Sequence, residues 1–342
     1  MGKPSGAHSV SSVDAKCYQH GGATITVTIK KKADGDPPLP PNIAVRLVEQ
    51  AAWNTQAHST FTATKTTDKH HQVKFTQLRP GRYYALAQHH GYGFVPTTMS
   101  SGPESPTTSL ELVAFPNSNA IWGCDTNQNN LIVATAKHDA HPCKFVGRYI
   151  SQDPTGDPPL TQGELPLYRN AGLDLVLVWE RKNTQTDDQP TVAAQTQSGA
   201  NDAKQALANM AAIFGAGAMH VVYFAADFTM TKKMRYGGAG ALVRGYFEGV
   251  NQIFGGNTRV GAYGTYETIA MLFDANPKPL ISWGWQMCFG SKGKALDKRV
   301  QLYQYDIMRD QTGWLPITNR TNIAGGLDMD VAVVPRFGQV RL

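Results

Sequence analysis

VVYFAADFT, residues 221–229, is an apolar run that ends in one carboxylate, Asp227. Val, Tyr, Phe and Ala in succession, without polar alternation, is the pattern of a strand buried on both faces, as in a parallel sheet covered by helices. A charge at the tip of such a strand has to meet other strand ends. The fold therefore turns on which segments surround it.

Seven further segments of this kind lie between residue 120 and the C-terminus: 121–125 (IWGCD), 145–150 (FVGRYI), 173–179 (LDLVLVW), 259–263 (RVGAY), 279–285 (PLISWGW), 300–305 (VQLYQY) and 327–333 (LDMDVAV), with the opening strand placed at 219–226. Eight such strands are the number of a closed parallel barrel. The connections after the first five are long enough for helices. TQGELPLYRNAG (161–172) carries a Thr161-x-x-Glu164 cap, and NDAKQALANMAAIFGAG (201–217), GALVRGYFEGVNQIFGG (240–256) and TYETIAMLFDAN (265–276) have helical spacing. After the sixth and seventh strands the chain turns rich in Gly, Lys and Asn, so the last helices of the barrel are expected to be missing. An open doubly wound or flavodoxin-like sheet is the alternative. It has no phosphate-binding Gly-rich loop after an early strand to support it.

Ahead of this region the rhythm is period two. ATITVTIK (23–30), NIAVRLVEQ (42–50), HQVKFTQL (71–78), RYYALAQ (82–88) and TSLELVAF (108–115) are separated by Pro, Gly and Asp turns, which predicts an antiparallel β-sandwich. The expected organisation is a flexible N-terminus over 1–20, the sandwich over 21–115 and the barrel over 120–342.

The 342 residues are 41% apolar and 17% charged, the composition of a globular chain, and the net charge of +6 favours anionic partners. The basic residues are scattered, so nucleic acid is not expected as a partner. No run approaches the length of a membrane-spanning helix, and the N-terminus lacks the apolar stretch of a cleaved signal peptide. The four cysteines, Cys17, Cys124, Cys143 and Cys288, show no paired spacing. Cys124 reads as a buried small side chain rather than a nucleophile. KHDAHPC (137–143) places His138, Asp139, His141 and Cys143 close together, but a polar loop explains it as well as a zinc site. Neither metal nor cofactor is expected.

In a parallel barrel the C-terminal ends of all strands converge on one face, where active sites sit. On that premise Asp125 closes the first strand, Glu180 follows the third, Asp227 the fourth, Gln286 the sixth and Asp306 the seventh, with Asp328 and Asp330 in the eighth. Aromatic rings are interleaved: Tyr149, Tyr223, Tyr263, Trp283, Trp285 and Tyr303, with Gln304 beside the last. Acids among flat rings suit a sugar. Glycosidic cleavage needs a protonated carboxyl for the leaving oxygen and negative charge for an oxocarbenium-like transition state, and rings hold the pyranose.

In this order, GCDTNQNN (123–130), KFVGRYI (144–150), GLDLVLVWE (172–180), VVYFAADF (221–228), RVGAYGTYE (259–267), LISWGWQ (280–286), LYQYD (302–306) and GGLDMDVA (325–332) resemble the glycoside-hydrolase-like domain known as domain of unknown function 1906. That family is similar to the family 25 lysozymes, which are peptidoglycan muramidases. The resemblance implies a TIM barrel of five β/α units followed by three strands. VKFTQLRPGRYYALAQHHGY (73–92) resembles the hairpin of carboxypeptidase-regulatory-like and other prealbumin-like sandwiches. By the first resemblance Asp125 matches a first-strand aspartate, Asp227 the first acid of the fourth-strand motif and Asp328 a last-strand aspartate. The lysozyme motif continues Asp-x-Glu, with the glutamate as general acid; here Thr229 stands in that place. Glu180 is the expected replacement as proton donor.

The expected function is cleavage of peptidoglycan or a related amino-sugar polymer. Asp125, Glu180, Asp227 and Asp328 form the catalytic set, and Tyr149, Tyr223, Tyr263, Trp283, Trp285, Gln286, Tyr303, Gln304 and Asp330 hold substrate. Without a cleaved signal, export would follow another route, and a secretion apparatus or an immunity protein are the partners that delivery as an antibacterial effector or lysin implies. The rival is a glycan-binding protein on a barrel that lost its chemistry; a third reading makes the sandwich an adhesive module.

Overall fold

The computed structural model describes residues 23–32, 34–49, 63–78, 81–89, 92–95, 97–101, 107–116, 120–126, 143–151, 159–182, 185–287, 291, 296–305, 307–310, 313–316 and 328–342. The N-terminal part holds β1 (Ala23–Lys31), β2 (Ala44–Glu49), β3 (Ala63–Thr66), β4 (Gln72–Leu78), β5 (Gly81–Gln88), β6 (Tyr92–Val95), β7 (Thr97–Ser101) and β8 (Thr107–Pro116). They form two four-stranded sheets, ordered β4-β1-β8-β6 and β3-β2-β5-β7. Alternation along β1 buries Ile25, Val27 and Ile29, which pack with Val45, Leu47, Phe75, Leu110 and Leu112. The sandwich is not purely antiparallel, because β1 and β8 run parallel, from Thr24 opposite Thr107 to Lys31 opposite Ala114. The short strands β3, β6 and β7 were not expected from the sequence.

The remaining chain closes a barrel of β9 (Ile121–Thr126), β10 (Phe145–Tyr149), β11 (Asp174–Trp179), β12 (Val222–Ala226), β13 (Val260–Gly264), β14 (Trp283–Met287), β15 (Leu302–Tyr305) and β18 (Asp328–Ala332). Seven strands are parallel. The premise that all eight point the same way is corrected by β18, which is antiparallel to both β15 and β9. A hairpin, β16 (Ile307–Asp310) and β17 (Gly313–Pro316), lies in the connection that reverses the chain. Reversal puts the start of β18, not its end, on the face of interest, and Asp328 stands directly opposite Asp125.

Among the described residues, helices follow β10 to β13: α1 (Leu165–Ala171), α2 (Val192–Phe214), α3 (Lys232–Arg235) with α4 (Gly238–Phe254), and α5 (Tyr266–Phe273). None of the described residues after α5 is helical. The long α2 starts at Val192, well before the predicted stretch, because the Thr191 hydroxyl accepts the Ala194 amide at 3.2 Å and caps it. α2 and α4 touch backbone to backbone: a Cβ on Gly249 would lie 1.9 Å from the Thr196 carbonyl oxygen. No described helix is long and apolar enough to cross a membrane.

Period two divides each barrel strand between two cores. Outward residues such as Val146, Leu177, Val222 and Phe224 pack with Tyr246, Phe247 and Phe254 of α4. Inward residues Phe145, Val176, Val178, Tyr223, Trp285, Leu302 and Ala332 fill the barrel. The C-terminal tail closes the end where the parallel strands begin: Val340 bridges Leu175, and Phe337 stacks on Phe145 with centroids 4.8 Å apart. Among the described residues, the buried polar side chains Asp125, Glu180 and Gln304 stand toward the opposite end. The sandwich leans on the barrel through Leu86, Val113 and Phe115, which join its outer core, and through Lys32, whose ammonium donates to the Lys298 carbonyl at 3.1 Å.

Candidate active site

At the end where the parallel strands finish, a polar chain crosses the barrel. Asp125, 5% exposed, accepts the Gln304 amide N–H on Oδ2 at 2.8 Å, and Gln304 Oε1 accepts the Tyr263 hydroxyl at 2.6 Å. Tyr263 meets Trp285 edge to face at 5.4 Å, and the Trp285 indole N–H donates to Asp330 Oδ1 at 2.9 Å. Asp330 is fully buried and sits opposite both Gly123 and Gln304, so it belongs to the layer below Asp125. Gly147 of β10 makes this possible: a Cβ there would fall 2.7 Å from Asp125 Cβ and 2.8 Å from the Trp285 ring.

Glu180 and Asp227 follow adjacent strands, and the backbone beneath them is tied by side chains. Ser151 Oγ accepts the Glu180 amide at 2.9 Å and donates to the Glu180 carbonyl at 2.8 Å. Gln185, fully buried, spans the two tips: its amide donates to the carbonyls of Trp179 at 3.1 Å and Ala225 at 3.0 Å, while its Oε1 accepts the Arg181 amide at 2.6 Å. Gln195 in turn donates to the Gln185 carbonyl at 2.7 Å. Arg181 holds the loop to the helices through Asp202 at 2.7 Å, and Tyr246 donates to the other oxygen of Asp202 at 2.8 Å. Burial, with Asp202 second, pushes the Tyr246 hydroxyl well above its ordinary pKa and keeps it a donor. Glu180 is 6% exposed, Asp227 is half-buried, and Thr229 beyond it is exposed.

The mouth thus draws on Asp125, Glu180, Asp227, Tyr149, Tyr263 and Gln304, with Trp285 and Asp330 as its floor. Four residues expected to hold substrate are placed elsewhere. Tyr223 points into the barrel and donates to the Phe337 carbonyl at 2.8 Å, at the closed end. Trp283, first in β14, donates to the Thr258 carbonyl at 2.9 Å at that same end. Gln286 and Tyr303 alternate with inward Trp285 and Leu302: Gln286 accepts the Asp297 amide at 2.9 Å, and Tyr303 lies in the outer core. The backbone of Asp328 is on the rim opposite Asp125. Asp306, His138, Asp139 and His141 lie outside the described residues. Among the described residues, no group of three or more His, Cys, Asp or Glu is arranged to hold a metal ion. The hydrogen bond from Cys143, then burial, raises the Cys124 thiol well above its ordinary pKa, and its side chain lies in the outer core rather than at the mouth.

Ser151 and Gln185 were missed, since nothing in SQDP or NTQTDDQP distinguishes a strand staple from a polar loop, and Gln195 was missed as an ordinary helix residue. Arg148 did leave a signal, a cation inside the apolar FVGRYI. It faces outward, fully buried, and meets Glu164 at 2.9 Å and the Tyr168 hydroxyl at 2.9 Å. Burial raises the pKa of that hydroxyl to about 12.

Among curated proteins no relative matches the chain. The Tat-secreted protein Rv2525c of Mycobacterium tuberculosis, in complex with HEPES, is 18% identical, with a TM-score of 0.49 over 65% of this chain and 98% of its own. A family 25 glycosyl hydrolase from Bacillus anthracis is 14% identical, with a TM-score of 0.37 over 65% of this chain and 95% of its own. The model of the Rv2525c-like, glycoside hydrolase-like domain matches residues 136–324, more than half of the 342, leaving Asp125 and the last strand outside the match. The chain belongs to this glycoside hydrolase-like family.

Proposed function

We propose that the end of the barrel where the parallel strands finish is a glycoside hydrolase site acting on peptidoglycan or a related amino-sugar polymer. The observation that carries this reading is the placement of Glu180 and Asp227 on neighbouring strand tips joined by one buried side chain, Gln185, with Asp125 two strands away from Glu180 across β10. Glu180 donates the proton to the leaving oxygen. Asp227, closer to solvent, stabilises the positive transition state, or orients an acetamido group if the substrate assists its own cleavage. Asp125, fixed by Gln304, stands above the floor of Trp285 and Asp330. Tyr149 and Tyr263 offer ring faces at the mouth, and Asp328 completes the rim. The net charge of +6 favours an anionic wall. Such a polymer lies outside the cytoplasm, so the protein acts after export, with residues 21–115 as an accessory domain and delivery machinery or an immunity protein as partners.

The exposed Thr229, two residues after Asp227, favours a second reading in which the mouth binds glycan without cleaving it. Purified sacculi incubated with the protein separate the two. Falling turbidity with soluble muropeptides in the mass spectrum supports the hydrolase. Co-sedimentation without fragments supports the binder, and neither outcome removes both.

A further inference from the structure

The sequence spacing gives no reason to pair any of the four cysteines, yet the fold brings Cys124 and Cys143 together. Cys124 lies on the outward side of β9, next to Asp125, and is buried; Cys143 is half-buried, two residues before β10, and packs against the same outer core. The two chain segments run side by side: Lys144, adjacent to Cys143, donates to the Trp122 carbonyl at 2.7 Å, and Val146 stands opposite Cys124. The two thiols are hydrogen-bonded to each other.

We propose that Cys124 and Cys143 are an oxidisable pair that closes to an intramolecular disulfide when the folded protein meets a small-molecule disulfide. The half-exposed Cys143 reacts first. Its thiolate attacks one sulfur of the reagent, the reagent's own S–S bond breaks, and one thiol leaves. Cys124 then attacks the Cys143 sulfur of the mixed disulfide, and its proton passes to the departing reagent thiolate, which leaves as the second thiol. Both cysteine sulfurs are oxidised and one reagent disulfide is reduced to two thiols. A disulfide needs sulfurs about 2.05 Å apart. Cys124 is held between β10 and β18, so the travel falls to Cys143, at the bend before β10. The product ties the strand that carries Asp125 to the chain leading into β10. This inference does not rest on the catalytic reading.

The test uses the full chain, folded, with glutathione disulfide as the oxidant, followed by acid quench, alkylation of remaining thiols and peptide mass spectrometry. Wild type and a Cys17→Ser/Cys288→Ser variant are expected to yield a cross-linked Cys124–Cys143 peptide pair that reductant releases. Cys124→Ser is expected to stop at a glutathione adduct on Cys143. Recovery of Cys124 and Cys143 as alkylated thiols in wild type overturns the proposal. So does a persistent glutathione adduct on Cys143 while Cys124 is intact.

Discussion

Buried carboxylates stand on both sides of the barrel wall, and the two sides hold them differently. Outside, Glu164 meets Arg148 at 2.9 Å, Asp202 meets Arg181 at 2.7 Å and Asp297 meets Arg299 at 2.7 Å. Inside, Asp125 takes an amide N–H from Gln304 at 2.8 Å, and Asp330 takes an indole N–H from Trp285 at 2.9 Å. A guanidinium cancels the charge it binds, whereas an amide or an indole orients a carboxylate without adding a cation. The outer acids therefore read as parts of the scaffold, and the inner ones as carboxyls held in a fixed direction by the amide and the indole.

The largest effect that would break this contrast is on the outer side. Arg148→Met leaves Glu164 buried without its cation and is expected to lower the unfolding free energy by about 3–5 kcal/mol in urea titration. Adding Glu164→Leu should recover much of that loss; no recovery would mean that Arg148 serves something other than the pair. On the inner side, Gly147→Ala forces a methyl against Asp125 and Trp285 and should cost about 1–3 kcal/mol by the same titration. An unchanged midpoint would show that the polar chain is loosely packed.

Gln185 links the two sides, since it sits in the loop anchored by Arg181 and bridges the tips before Glu180 and Asp227. Gln185→Ala removes one donor from two carbonyls at a stability cost of about 1–3 kcal/mol. Fragment release from sacculi should fall by about tenfold or more while sacculus binding stays, because the acids lose their spacing. Equal loss of binding and release would make Gln185 a residue of folding alone.

The smallest effect concerns His220, edge to face with Phe214 at 4.8 Å. Burial, with the Arg259 charge second, holds His220 below its ordinary 6.5, so the unfolded chain takes up this proton before the folded one does. Its contribution is whole above that value and falls as pH drops through it toward the folded pKa. The loss in thermal midpoint between about pH 7.5 and 5.5 should be smaller in His220→Phe than in wild type. Equal losses would assign the pH dependence to other groups.

Strand order was legible because a run such as LDLVLVW can be stable only with both faces covered, and eight such runs in sequence close on one another. The facing of each residue was not legible. In a strand apolar on both sides nothing distinguishes the barrel interior from the helix layer, which is why Tyr223, Trp283, Gln286 and Tyr303 were grouped with Tyr149 and Tyr263. The direction of β18 is likewise absent from LDMDVAV, since alternation reads the same both ways. Its reversal nevertheless keeps Asp328 beside Asp125. The ties under the strand tips come from Ser and Gln in loops, where such residues are commonplace.

The central claim is that Glu180 and Asp227 act together on a glycosidic bond. It is tested most directly by measuring muropeptide release from purified sacculi by wild type, Glu180→Gln and Asp227→Asn, each first shown to unfold with the wild-type midpoint. The account predicts soluble fragments from wild type and a loss of about 100-fold or more in each variant. Release at the wild-type rate by both variants would contradict it.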